Sequence, residues 1–235
     1  IEKYNKAEAL LKNFDKVITH IEDGVGWQQG SKVPTCCYLI MKLGLRVGDE
    51  KEEDEANTIG ASTLTTDNIK ILTNLPCPHP NRVALDFLGK DSVRYQTEVE
   101  LPWGVVQNLR GYIAESKDGK IFSDITSSNV NNFLSEVMPG LTAKVFRTAL
   151  GTSLLQNFLN KHTPKDMSGI VEYVKVLTAK YANLEAAKFL NHRRALPKNF
   201  EQSLKKKEEK LHHLLAEKKY EQADKLKAEI DFQAK

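Results

Sequence analysis

The sequence has 235 residues, of which 40% are hydrophobic and 28% are charged. This composition is typical of one large or two modest globular domains, and it excludes wholesale disorder, a collagen-like repeat and a small disulfide-rich protein. The net charge is only +3, but residues 49–55 hold six acids and one base, which leaves 33 bases against 25 acids elsewhere. The bulk of the chain is therefore moderately basic, and one acidic run masks it.

Neither a membrane span nor a metal site is expected. No window approaches the roughly 18 to 20 uninterrupted apolar residues that a membrane helix needs. The three cysteines, Cys36, Cys37 and Cys77, indicate reduced thiols inside a cell. Cys77 and His79 have no second pair at metal-ligand spacing. The chain begins at Ile1 without a visible signal peptide, and we expect a fragment or a processed piece.

The first segments of the chain have helical periodicity. Apolar residues at helical spacing predict one amphipathic helix over residues 1–22, ended by Gly24 and Gly26. A second helix is predicted over residues 34–45, and because it is apolar on most sides it should lie in the core.

The periodicity then changes to that of short strands. Segments rich in β-branched and aromatic residues predict a small antiparallel sheet from residues 58–64, 69–72, 82–88 and 92–101. The last two segments alternate, and Gly89-Lys90-Asp91 between them predicts the tip of a β-hairpin.

From Trp103 onward the pattern is helical again, so the predicted class is mainly α with a small antiparallel sheet (α+β). Helices are predicted near residues 103–115, 127–137, 142–160, 168–181 and 183–190, with Asn183 as a helix cap. Residues 1–197 would form the main domain. Residues 198–235, with ten Lys and eight acids, would form a projecting, coiled-coil-like linker, either one continuous helix or a helical hairpin broken near residues 218–220.

Four places in the chain have the character of anion-binding sites. Arg46 follows the predicted core helix between apolar neighbours, where an unpaired guanidinium would be costly, so it needs the acidic run or an external phosphate as a partner. Lys90 at the hairpin tip is either an inert turn residue or a side chain pushed into a groove.

The other two places lie in the C-terminal half. Lys144 and Arg147 share a helix face, where two like charges repel unless an anion lies between them. His192 is followed by Arg193 and Arg194, which is again an anion-binding arrangement. No Gly-rich phosphate loop and no G-x-S-x-G nucleophile motif is present, which argues against a nucleotide-driven enzyme.

Read together, these places match one family. The strings LGLRVGDEKEEDEANTIGASTL, LDFLGKDSVRYQTEVEL, MPGLTAKVFRT and FLNHRRALPK occur in that order. They resemble the catalytic core of eukaryotic-type type IB DNA topoisomerases, within the superfamily that includes the tyrosine recombinases. Recombinases usually have His-x-x-Arg where this chain has Lys144-x-x-Arg147, which favours the topoisomerase.

The resemblance implies a core fold with a projecting linker, and a reaction on duplex DNA without ATP, metal or cofactor. A tyrosine would attack a phosphodiester, form a 3′-phosphotyrosine and let supercoils relax before the strand is rejoined. Arg46, Arg147 and His192 would hold the phosphate oxygens, and Lys90 would protonate the leaving 5′-oxygen. The further expected DNA contacts are Lys144, Asp91, Arg193 and Arg194.

One departure concerns the nucleophile. The family's tyrosine lies in a Ser-Lys-x-Asn-Tyr-like segment, and none of the seven tyrosines of this chain has that context. We therefore expect the tyrosine on a missing downstream segment or a second polypeptide, and we also expect a chain without the family's N-terminal DNA-clamping domain. The alternatives are a tyrosine recombinase and a DNA-binding module without catalysis. An intracellular location is expected, in the nucleus of a eukaryote or in the cytoplasm, at the nucleoid, of an archaeon.

Overall fold

A computed structural model describes residues 2–26, 32–48, 58–77, 79–89, 93–192 and 197–233. Its contacts divide the chain into two compact units, residues 1–153 with 189–191 and residues 154–188 with 192–235. The predicted class is confirmed, because helices make up most of the described residues and a small antiparallel sheet accompanies them. The division at residue 197, drawn from composition, stays a prediction.

The first unit begins with two short helices, α1 (Glu2–Leu11) and α2 (Phe14–Val25). The prediction of one helix over residues 1–22 was wrong, because the chain turns at Asn13, whose N–H donates to the Leu10 carbonyl at 2.8 Å. Asparagine favours such turns because its side chain competes with helical hydrogen bonding. The break lets each helix bury its own apolar stripe.

Helix α3 (Lys32–Leu43) is the predicted core helix. Every residue from Pro34 to Ile40 is buried, as its apolar composition predicts. Pro34 lies in the first turn, where its missing N–H costs nothing. Cys36 and Cys37 are free thiols on this helix, and burial raises the pKa of both.

The sheet contains β1 (Ile69–Ile71), β2 (Asn81–Leu88) and β3 (Arg94–Leu101), antiparallel in that order. The predicted β2–β3 hairpin is confirmed, with Leu88 opposite Arg94 as the last pair before the tip. Lys90 and Asp91 lie outside the described residues. The prediction of a strand over residues 58–64 was wrong, because Ala61 and Ser62 donate their N–H groups to the segment after α3 and not to the sheet.

The bounds of α4 (Trp103–Glu115) and α5 (Ser127–Val137) agree with the prediction, and α6 (Ala143–His162) ends two residues later than predicted. A single helix, α7 (Glu172–Phe189), replaces the two helices predicted in its place. Asn183 lies exposed in its interior, so the predicted cap was wrong. No Gly or Pro lies near this position, and an asparagine that faces water does not end a helix.

In the second unit, α8 (Phe200–Ala216) and α9 (Tyr220–Gln233) form an antiparallel hairpin, the second of the two alternatives that the sequence left open. Lys207 Nζ lies 3.1 Å from Gln233 Oε1 and 3.8 Å from Glu229 Oε2. The ring of Phe232 meets Tyr181 of α7 edge to face, with centroids 5.0 Å apart.

Among the helices described, none combines the length and the apolar character that crossing a membrane requires.

Phe146 offers a test of how the first unit is packed. Its side chain is 0% exposed and its ring centroid lies 5.8 Å from that of Phe14. We expect Phe146→Ala to lower the free energy of unfolding by about 3–5 kcal/mol, since it leaves a cavity. Chemical denaturation followed by tryptophan fluorescence measures this. Leu88→Ala, at a residue 49% exposed on the outer sheet face, is the control and should change the value by less than about 0.5 kcal/mol.

Candidate active site

The candidate site centres on Arg147, in the second turn of α6. Leu141, Val145 and Phe146 are buried, and they anchor this turn against the core. The Arg147 guanidinium is itself partly buried. Its Nε donates to the Gly44 carbonyl at 2.7 Å, and its Nη2 donates to the Leu190 carbonyl at 3.0 Å.

Both carbonyls lie just past the end of a helix. Gly44 follows α3, and Leu190 follows α7. The last carbonyls of a helix lack helical partners and carry partial negative charge, so they suit a buried cation. Arg46 comes two residues after Gly44, and His192 comes two residues after Leu190. The Arg147 guanidinium therefore binds the backbone two residues before Arg46 and two residues before His192.

Gly44 permits this arrangement. Its φ is +61°, and a Cβ at this position would lie 2.5 Å from the Phe189 carbonyl oxygen. A side chain would therefore push the segment that contains Leu190 away from Arg147. The role of Gly44 was not predicted from the sequence, although a glycine directly after an apolar helix is a recognised signal for a helix end.

The side chain of Arg46 is exposed, which corrects the prediction that it lies among apolar neighbours at a desolvation cost. The neighbouring Leu45 takes the buried position instead, at 4% exposure. The backbone on either side of Arg46 is nevertheless fixed. The Arg46 carbonyl accepts from Ala61 N–H at 2.8 Å, and the Val47 carbonyl accepts from Ser62 N–H at 2.7 Å.

Ser62 is a second residue that the sequence analysis missed. Its hydroxyl lies 2.9 Å from the Val47 carbonyl and 2.6 Å from the Gly48 carbonyl, and the residue is 4% exposed. A lone serine in a loop gives no sequence signal for this role. The contact holds the backbone that carries Arg46, and it leaves the guanidinium facing the solvent.

Arg46 lies close enough to Arg147 for its positive charge to act on the Arg147 guanidinium. Burial, and to a smaller extent the charge of Arg46, together lower the pKa of Arg147 to about 10. Arg147 is therefore still a cation at neutral pH. An anion bound between the two guanidinium groups would relieve their repulsion, so the pair can act as a site for a phosphate group.

The other predicted residues are placed differently. Lys144 is exposed on α6, while Arg147 is directed at carbonyls, so no anion is needed between them to hold Arg147 in position. His192 is exposed in the second unit, where its N–H donates to the Ala187 carbonyl at 2.8 Å. Lys90, Asp91, Arg193 and Arg194 lie outside the described residues.

The carbonyl contacts of Arg147 can be tested by stability alone. Arg147→Ala leaves the Gly44 and Leu190 carbonyls without this donor, and we expect the free energy of unfolding to fall by about 1–3 kcal/mol. Lys144→Ala, an exposed cation one helical turn earlier, is the matched control and should shift it by less than about 0.5 kcal/mol. Equal effects of the two substitutions in denaturant titrations would contradict the structural role of Arg147.

Comparisons with known proteins relate the sequence to one family. Residues 1–225 match the family model described as eukaryotic DNA topoisomerase I, catalytic core. The chain is 36% identical to the mitochondrial DNA topoisomerase I of Rattus norvegicus over 98% of its length. It is 37% identical to DNA topoisomerase 1 alpha of Arabidopsis thaliana over 84% of its length, and 36% identical to DNA topoisomerase 1 of Drosophila melanogaster over 89%.

The chain corresponds to only part of these relatives. It spans 39% of the rat protein and 21% of each of the other two. The match of the family model covers nearly all of this chain and confirms the resemblance drawn from the four sequence strings. The chain therefore belongs to the family of eukaryotic DNA topoisomerase I catalytic cores.

Proposed function

We propose that this chain is the DNA-binding catalytic core of a type IB topoisomerase, which relaxes supercoils by cleaving one strand transiently. The observation that carries the proposal is the pair of hydrogen bonds from Arg147 to the Gly44 and Leu190 carbonyls. They hold a cation in a fixed orientation beside a second cation, Arg46, in a chain whose relatives are DNA topoisomerases.

The two arginines would bind the non-bridging oxygens of the scissile phosphate. Arginine has five N–H donors, and the two carbonyls occupy only two of those on Arg147. The remaining donors can face a phosphate without any reorientation of the side chain. A donor set fixed in advance favours the transition state, whose oxygens carry more negative charge than those of the substrate.

The chemical step follows from these roles. A tyrosine gives its phenol proton to solvent and its oxygen bonds to phosphorus while the bond from phosphorus to the 5′-oxygen breaks, and Lys90 gives a proton to that leaving oxygen. His192 donates a further hydrogen bond to the phosphate. Lys144, Asp91, Arg193 and Arg194 would contact the DNA around the cleavage site. The 3′-phosphotyrosine keeps the energy of the phosphodiester, so the reverse reaction rejoins the strand.

We further propose that the nucleophilic tyrosine is not among these 235 residues and is supplied by another segment or a second polypeptide. Tyr38 is buried, with 7% of its surface exposed, and the Tyr95 hydroxyl donates a hydrogen bond to the Leu43 carbonyl. Burial raises the pKa of Tyr38, Tyr95 and Tyr112, which works against a phenol that must lose its proton. Tyr220 is 61% exposed but stands in the charged α8–α9 hairpin.

The place of action would be intracellular, where duplex DNA is found. The relatives named above are eukaryotic, which supports the nucleus as the compartment, and the mitochondrial name of the rat protein supports that organelle as the alternative.

The first test separates binding from catalysis. The purified 235-residue chain should bind duplex DNA, and its affinity should fall by roughly 10³ to 10⁵ between about 50 and 200 mM salt if 6 to 10 phosphates are contacted. Fluorescence anisotropy with a labelled duplex measures this. The chain alone should not relax supercoiled plasmid, and addition of a tyrosine-bearing piece should restore relaxation in the presence of a chelator.

Three results would count against this proposal. Plasmid relaxation by the chain alone would place the nucleophile among its own tyrosines. DNA binding that stays flat with salt would argue against a surface that follows phosphates. Binding without cleavage, even when the tyrosine-bearing piece is supplied, would favour the DNA-binding module without catalysis.

The second test concerns Lys90. Lys90→Ala should slow cleavage by about 10² to 10⁴ in the tyrosine-supplied enzyme, with little change in DNA affinity. A substrate with sulfur at the bridging 5′ position should rescue this variant, because a thiolate leaves without a proton. Arg147→Ala should not be rescued to the same degree, since Arg147 acts on the non-bridging oxygens.

Lys70→Ala, an exposed lysine on β1, is the control and should cleave both substrates at the normal rate. If sulfur rescued Lys90→Ala and Arg147→Ala equally, or rescued neither, the division of roles would be wrong. Normal cleavage by Lys90→Ala with either substrate would make Lys90 an inert turn residue.

A further inference from the structure

Two consecutive carbonyls at the end of α3 accept hydrogen bonds from side chains in different parts of the chain. The Gly44 carbonyl accepts from Arg147 Nε at 2.7 Å. The Leu43 carbonyl accepts from the Tyr95 hydroxyl at 3.2 Å, across 52 residues of sequence. The end of α3 is thus bound both by the arginine of the candidate site and by a residue of the sheet.

Tyr95 lies in the stem of the β2–β3 hairpin. It stands directly opposite Phe87, and the two rings stack with centroids 5.0 Å apart and planes 19° apart. One more pair, Leu88 with Arg94, and a hydrogen bond from Gly89 N–H to the Val93 carbonyl at 2.8 Å complete the described stem. The tip that contains Lys90 follows immediately in the sequence.

The surroundings of Tyr95 keep its hydroxyl in place as a hydrogen-bond donor. Phe87 is buried, with 7% of its surface exposed, and its ring fixes the position of the Tyr95 ring stacked on it. Burial raises the pKa of Tyr95 to about 12, and the phenol therefore keeps its proton and remains a donor at neutral pH. The carbonyl at a helix end in turn needs an outside donor, because no later turn of the helix supplies one.

Lys90 is bonded directly to Gly89, the last described residue on its side of the stem, so a movement of the stem is passed on to Lys90. A group that must deliver a proton to one oxygen tolerates little displacement, and an error of about 1 Å can cost roughly 10²-fold in rate. The angle between the hairpin and the end of α3 therefore matters for any chemistry done at the tip.

We propose that Tyr95 is a positioning residue, whose hydroxyl fixes the hairpin to the end of α3 and so aligns Lys90 with the phosphate bound by Arg46 and Arg147. The inference rests on the proposed function. It assigns Tyr95 no contact with DNA, and it separates the hydroxyl, which sets the alignment, from the ring, which packs on Phe87.

The test uses Tyr95→Phe, which removes the hydroxyl and keeps the stacked ring. With the tyrosine nucleophile supplied, cleavage of ordinary DNA should slow by roughly 10- to 100-fold, while the Kd for DNA changes less than about twofold. The substrate with bridging 5′-sulfur should restore the rate, because a misaligned general acid no longer matters. Tyr112→Phe, which removes a hydroxyl from a half-buried tyrosine on α4, is the matched control and should cleave both substrates normally.

The comparison with Lys90→Ala separates the two proposals. If sulfur rescues Lys90→Ala but leaves Tyr95→Phe slow, Tyr95 does not act through the general acid and this inference alone is overturned. A normal rate for Tyr95→Phe on ordinary DNA overturns it as well. If sulfur does not rescue Lys90→Ala, the general acid has been assigned wrongly, and the positioning role of Tyr95 falls with it.

Discussion

Among the residues that the structure describes, the guanidinium of Arg147 is bound by carbonyl oxygens and not by a carboxylate, and the rest of the candidate site depends on these partners. A carboxylate would hold the side chain but cancel its charge. Carbonyls at 2.7 and 3.0 Å orient the same group through partial charges and leave it a full cation. Arg147 can therefore hold two backbone segments together and bind an anion at the same time.

That constraint explains the burial of the surrounding segments. Arg147 can reach the Gly44 and Leu190 carbonyls only if α6 lies firmly against the core, and Phe146 next to it is completely buried. Gly44 must lack a side chain because the Phe189 backbone lies where a Cβ would stand. The positive charge of Arg46 disfavours the charge on Arg147, and a phosphate bound to both guanidinium groups would offset this repulsion.

The sequence predicts the parts of this fold that depend on local patterns. The bounds of α4 and α5 follow from periodicity, and the β2–β3 hairpin follows from alternation around Gly89. The break at Asn13 was missed because the helical spacing of apolar residues continues across it. The unbroken α7 was missed because Asn183 is a residue type that often caps helices, but its side chain faces water and does not end this one. For the site, periodicity indicates an arginine near the end of a core helix, but it cannot show that Leu45 is the buried residue and Arg46 the exposed one.

The contact between Gly48 and Gly60 has a consequence for the length of the segment between them. A Cβ on Gly60 would lie 2.5 Å from the Cα of Gly48, so the two backbones meet on either side of residues 49–59. The chain leaves and re-enters the core at nearly one point. Doubling the length of a loop closed in this way adds only about 0.6 kcal/mol of closure entropy. We therefore expect a change in length between the two glycines to cost little free energy and to leave the backbone at Arg46 in place.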